Sequence, residues 1–143
     1  MATGIRSESH VTIDAPPAAV WRALTEPRLI RQWLFGTETL TDWKVGSPIA
    51  HRGEMNGRLY EDKGEIIAFE PRKRLVHSHW SSMSGRPDKP ENYERVAYEL
   101  EPAGEQTELV IREENLPSEQ AKTSSQKAWK GALESLKKLV EAA

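Results

Sequence analysis

Apolar positions recur every three to four residues in three stretches of the chain and every second residue in most of the others. The longest helical stripe closes the chain. Ser125, Trp129, Ala132, Leu133, Leu136 and Val140 share one face of a helix read over 118–143, with Lys127, Lys130, Glu134, Lys138 and Glu141 opposite. Ser118, next to Pro117, is the expected N-cap. At 1.5 Å per residue such a helix is roughly 35–40 Å long and needs a broad surface to cover. The stripe is not uniform. From Trp129 onward it is bulky and apolar and reads as packing. Over 118–126 it is small or polar, and it carries Lys122 in line with Trp129 and Leu136, so this first half is where a cavity is expected to open.

The other helical spacings lie near the start. Pro17, Val20, Trp21 and Leu24 predict a short helix to about Thr25, and Leu29, Ile30 and Trp33 a second one beginning at Pro27. Proline is well tolerated at a helix start because its missing N–H has no intrahelical acceptor there. Residues 5–13 alternate, with Ser7, Ser9, Val11 and Ile13 on one face, and read as a strand. Further strands are predicted at 35–40, 48–52, 58–70, 75–80, 94–101 and 107–115. Between them lie a hairpin turn over 53–57 centred on Asn56-Gly57, a bend at Gly64, a basic turn Arg72-Lys73-Arg74, a loop over 81–92 and a turn at Ala103-Gly104-Glu105. Consecutive hairpins imply an antiparallel sheet of about seven strands, an α+β arrangement. Such a sheet twists strongly, and on curling it wraps the closing helix and leaves a space beneath it.

Composition narrows the function classes. A chain of 143 residues suits one domain over 1–143 and buries a core without staples. The absence of cysteine removes disulfide and thiolate chemistry. With 20 basic and 22 acidic residues the charge is balanced, and nucleic acid is not an expected partner. No run is long enough for a membrane span and residues 1–8 carry no apolar leader, so the expected compartment is the cytoplasm. There is no phosphate-cradling glycine loop, no GxSxG elbow, no dinucleotide fingerprint and no HExxH or Cys/His spacing. Neither a metal nor a cofactor is expected.

Several segments resemble the START-like, or SRPBCC, superfamily, and within it the group named for the activator of heat-shock protein 90 ATPase. They are Ile13-x-Ala15-Pro16-x-x-x-Val20-Trp21-x-Ala23-Leu24-Thr25-x-Pro27 with Ile30-x-x-Trp33, Gly64-Glu65-Ile66-x-x-Phe69-x-Pro71-x-x-x-Leu75-Val76, Thr107-x-Leu109-x-Ile111, and Trp129-x-x-Ala132-Leu133-x-x-Leu136-Lys137-x-Leu139. The resemblance runs over nearly the full length and rests on structural positions. It implies the helix-grip fold, a curved sheet around a long C-terminal helix with a largely apolar cavity between them. It implies binding of lipids, hormones, polyketides or similar molecules, and in some members cyclisation or hydrolysis. The co-chaperones that give the group its name carry a separate N-terminal domain for much of the chaperone contact. At this length the chain is expected to lack it, which weighs against a co-chaperone role, while stress response stays among the expectations the resemblance implies.

Candidate chemistry follows from strand parity. His77 and His79, two apart, share a face, and if it is the concave one both imidazoles enter the cavity to hold a ligand or move protons. The alternative is that Val76, Ser78 and Trp80 face inward. Glu113 shares its face with Leu109 and Ile111 and is a candidate base or acceptor, or else a strand end reaching water. Lys122 either pairs with an anionic head group or extends to solvent. Trp33, Trp43, Tyr60, Trp80 and Tyr98 are aromatic candidates for the wall, with Ser125 and Trp129 from the helix, while Trp21 and Trp129 also match the family's packing positions. The loop over 81–92 either gates the cavity or connects strands without order. The leading expectation is binding of a small hydrophobic or amphipathic molecule without defined catalysis. The alternatives are an acid–base enzyme using His77, His79 and Glu113, and a module contacting a chaperone or a second copy.

Overall fold

The computed structural model describes residues 3–143, so the first two positions of the 1–8 stretch lie outside the described residues. Among those residues are seven strands: β1 (Ser7–Ile13), β2 (Glu38–Thr41), β3 (Pro48–Met55), β4 (Arg58–Glu70), β5 (Arg74–Ser81), β6 (Glu94–Ala103) and β7 (Gln106–Glu114). They form one antiparallel sheet in the order β1-β7-β6-β5-β4-β3-β2. Helices α1 (Pro17–Thr25) and α2 (Pro27–Trp33) follow β1, and α3 (Glu119–Glu141) closes the chain. This is the helix-grip arrangement: a curved sheet, two short helices after its first strand, and one long helix held in its concavity.

Local chemistry accounts for the elements. Ser118 caps α3, its Oγ accepting from the Ala121 N–H at 3.1 Å. Pro17 and Pro27 open α1 and α2. Ala132, Leu133, Leu136 and Val140 of α3 join Ile13, Val20, Trp33, Leu109 and Ile111 in one buried cluster. The sheet bends where β4 meets β5. The register shifts between Ile66 and Ala68, and at Gly64 an added Cβ would lie 1.8 Å from the Ser78 carbonyl oxygen. A bulge at such a close crossing increases the local twist.

Two predicted boundaries move by three residues. The hairpin turn is not 53–57: β3 continues to Met55, and only Asn56 and Gly57 turn, with φ of 53° and 79°. Both left-handed values match the tightest hairpin turn, which lets pairing run to Met55 and Arg58. The second strand begins at Glu38 rather than at 35, because Phe35 and Gly36 take positive φ in the turn after α2.

Candidate functional site

A cavity of about 770 Å³ lies between the sheet and α3. Two registered rows of side chains build its sheet wall. Thr39, His51, Asp62 and Ser81 align across β2, β3, β4 and β5. His77, Val96, Glu113 and Ser7 align across β5, β6, β7 and β1. From these rows His51, Asp62, Ser81, His77, Val96 and Glu113 border the cavity. The helix side is small except for one ring: Ser125, Ala128, Trp129 and Ala132. Phe35, Met55 and Met83 border the cavity while staying exposed, which puts an apolar rim at its mouth.

Three imidazoles sit together. The ring centroids of His51 and His77 are 5.8 Å apart, and those of His77 and His79 are 6.4 Å apart. His77 stacks on Tyr98 at 5.8 Å and 28°, and Tyr98 meets Trp129 edge-on at 5.8 Å. His77 Nδ1 lies 2.8 Å from the Ser78 carbonyl oxygen. His79 Nε2 lies 3.1 Å from Asp62 Oδ2.

The protonation states differ within this cluster. Burial, then the neighbouring His51, holds the His77 pKa down from 6.5 to about 3. Burial and His79 hold His51 down to about 4, against the pull of Asp62. For His79, burial works against the charge, but the hydrogen bond and charge of Asp62 outweigh it and raise the pKa. Asp62 is lowered in turn, its own burial outweighed chiefly by the bond to His79. The shifts favour the charged forms of His79 and Asp62 and the neutral forms of His51 and His77. Burial raises Glu94, and burial followed by the charge of Glu113 raises the Tyr98 phenol.

The predicted residues divide clearly. His77 and His79 face inward, as do Tyr60, Tyr98, Glu113, Ser125 and Trp129, all bordering the cavity. Four do not. Trp33 is buried in the core at 2% exposure, its indole N–H donating to the Ala23 carbonyl at 2.8 Å. Trp80 has the opposite parity to His77 and His79, and its N–H donates to the Arg86 carbonyl. Trp43 packs on Phe69 at 6.1 Å. Lys122 lies a turn before Ser125, beyond Glu113, the last inward position of β7, and does not border the cavity. The division drawn on the helix therefore moves: Trp129 belongs to the wall, and of the polar first half only Ser125 reaches it.

His51, Asp62, Glu94 and the Met55–Met83 rim were not singled out from the sequence. The signal for the first two was present. A two-residue Asn56-Gly57 turn pairs 55 with 58 and hence 51 with 62, and His51 shares the face of buried Ile49. The loop over 82–93 contains a short turn of 3-10 helix (Pro90–Asn92) and is tied down. The Arg86 side chain donates to the Asn92 carbonyl at 2.7 Å, Tyr93 to Asp88 at 2.6 Å, and Lys63 pairs with Asp88 at 2.5 Å.

Among the described residues no three His, Cys, Asp or Glu side chains converge as metal ligands. No helix of the described residues is long and apolar enough to cross a membrane. Residues 14–141 match the family model of the Activator of Hsp90 ATPase homolog 1-like protein. A protein of Cytophaga hutchinsonii with a solution structure is 38% identical, with a TM-score of 0.82 over 96% of this chain and 94% of that one. A Mesorhizobium loti protein is 23% identical, with a TM-score of 0.80 over 97% and 98%. DynU16, from the dynemicin biosynthetic locus, is 20% identical with a TM-score of 0.78 over 95% of this chain, which spans 47% of that one. No curated protein matches the chain by sequence.

Proposed function

The chain belongs to the family of Activator of Hsp90 ATPase homolog 1-like proteins, and from that premise we propose that it binds one small hydrophobic or amphipathic molecule between the sheet and α3. Members of this family bind hydrophobic ligands or act as polyketide cyclases. The observation that carries the reading is the cavity itself. Its 770 Å³ lies within the range of small-molecule sites, its walls join aromatic rings to a few polar groups, and its rim is apolar. Native mass spectrometry of freshly purified protein tests it: a retained mass is expected, and its loss on Ala128→Trp ties it to the cavity. A protein that carries nothing and takes up no hydrophobic probe contradicts the reading.

A second reading is favoured by one contact, the His79–Asp62 pair at 3.1 Å beside the cavity. A carboxylate-supported imidazolium is a proton donor to a bound molecule, with Glu113 as a facing acceptor. Under it, His79→Gln and Glu113→Gln keep binding and abolish turnover of the ligand. Under the first reading these variants leave the ligand chemically unchanged, as the parent does.

A further inference from the structure

Resting on the ligand-binding reading and deepening it, we propose that the cavity selects an amphipathic molecule whose polar end is a cationic nitrogen, a hydrophobic amine, over the corresponding alcohol and carboxylate.

The enclosed volume and the apolar rim make the cavity a ligand site independently of its charges. The charge of its wall is one-sided. Glu54, Asp62, Glu94 and Glu113 border the cavity, and among the described residues no Lys or Arg does. Two of the three histidines there add no positive charge, because burial favours the neutral forms of His51 and His77. The third, His79, is bonded to Asp62. Glu54, Glu94 and Glu113 are therefore left without a cation in the wall.

These three carboxylates are also within reach. Asp62 Oδ1 is sealed inside the protein and takes no part. Glu94 is only partly buried, its oxygens are not sealed, and no hydrogen bond among the described residues engages them. Burial is the main influence raising its pKa. The charges of Glu113 and Asp62 add to it, and those of His79 and Arg86 offset it only in part. A cationic nitrogen beside Glu94 supplies the missing counter-charge and removes that penalty. Glu113 is 6% exposed, and both hydroxyls that reach it, Ser7 and Ser125, donate to Oε1, which leaves Oε2 without a donor among the described residues. Glu54 is exposed, adjoins Met55 of the rim and has no ion-pair partner among the described residues. A carboxylate ligand would meet like charge here and no free cation to receive it. The rings of Tyr98 and Trp129 take up an apolar body, and aromatic faces attract a cation as well.

Calorimetric titration at neutral pH with naphthylmethylamine, naphthylmethanol and naphthoate, each substituted at the same ring carbon, tests this. The amine is expected to bind about tenfold tighter than the alcohol, the size of a hydrogen bond to a charged group, and naphthoate weaker than the alcohol. Glu94→Gln keeps the shape and removes the charge, bringing amine and alcohol to within about threefold. Glu54→Gln, at an exposed position, leaves the core untouched and is expected to narrow the gap by less. Carbon NMR titration of the unmodified protein gives a readout that needs no variant: the Glu94 carboxyl pKa falls when the amine is bound and not when the alcohol is. An amine that binds no better than the alcohol, a preference for naphthoate, or a Glu94 carboxyl that titrates alike with and without amine overturns the charge selection and leaves the cavity reading standing. Failure of all three probes to bind overturns both.

Discussion

Glu113 Oε1 accepts from Ser125 Oγ and, at 2.9 Å, from Ser7 Oγ, so one carboxylate oxygen joins β1, β7 and α3 beside the cavity. Glu113 is only 6% exposed, so both hydroxyls spare it an unpaired buried position. Ser125→Ala removes one of them, and hydrogen bonds to a carboxylate contribute about 1.5–3 kcal/mol each. A loss of stability of about 1–2 kcal/mol is expected in urea unfolding. An unchanged midpoint with unchanged slope would mean that this link does not hold the helix.

The sheet's bend makes a contrasting pair of glycines. Gly64→Ala drives a methyl group into backbone, the Ser78 carbonyl, and is expected to cost about 2–3 kcal/mol. At Gly53 the obstacle is the far end of the Tyr60 ring, with the hydroxyl 2.5 Å from the added carbon. That side chain moves aside, so Gly53→Ala costs about 1 kcal/mol or less while breaking the 2.7 Å bond of Tyr60 to Thr37. Thermal unfolding of the two variants checks the order, and equal losses would contradict it.

Acid sensitivity follows from the two neutral imidazoles. His51 and His77 have folded values of about 4 and about 3, below 6.5, so below pH 6.5 the unfolded chain takes up protons the folded one refuses. Their contribution is full above that value and is lost as pH falls, with a slope approaching ~1.4 kcal/mol per pH unit for each group. His79, raised, has the opposite sign: its contribution is present below 6.5 and is lost as pH rises through its folded value. Asp62, lowered, contributes above its ordinary 3.8 and loses this as pH falls through its folded value. His51, His79 and Tyr98 lie against the His77 ring while Asp62, Glu94 and Glu113 line the same cavity, and the slope between 6.5 and 4 comes chiefly from the two depressed histidines. His77→Phe should flatten urea stability against pH by about 1 kcal/mol per unit in that window. A slope unaltered by the substitution would show that His77 is already charged in the folded protein.

The ion pair has its own signature. In Asp62→Asn the strongest opposing influences on His79 are gone and burial is left against the weaker pull of Glu94 and Glu113, so the His79 pKa falls. Proton NMR titration of the His79 ring reads this directly. A value that stays high would assign the charge to another carboxylate, with Glu94 the first to examine.

Much of this architecture was legible because it rests on periodicity. Alternation placed Leu109, Ile111 and Glu113 on one face of β7, and the spacing of Ala132, Leu133, Leu136 and Val140 placed the buried stripe of α3. Residues bordering the cavity were legible where a strand's own parity decided them, as for His77 and His79. They were not legible where cross-strand register decided them. His51 and Asp62 become neighbours only through a turn shorter than the five residues first assigned to it. The aromatic residues misled for a related reason. Trp33 and Trp80 have rings as suitable as those of Tyr98 and Trp129, but their faces turn to the core and to the Arg86 loop. Lys122 shares the stripe of Trp129, but the sheet wall ends before it.

The central claim is a ligand cavity, and one titration addresses it most directly. Nile red, a neutral hydrophobic dye, is titrated into the parent protein and into Ala128→Trp, which puts an indole at an exposed helix position bordering the space. Saturable binding of one dye per chain is expected in the parent, accompanied by a change in tryptophan fluorescence, with loss of saturable binding in the variant, which remains folded. No saturable binding in the parent, or equal binding in both, would contradict it.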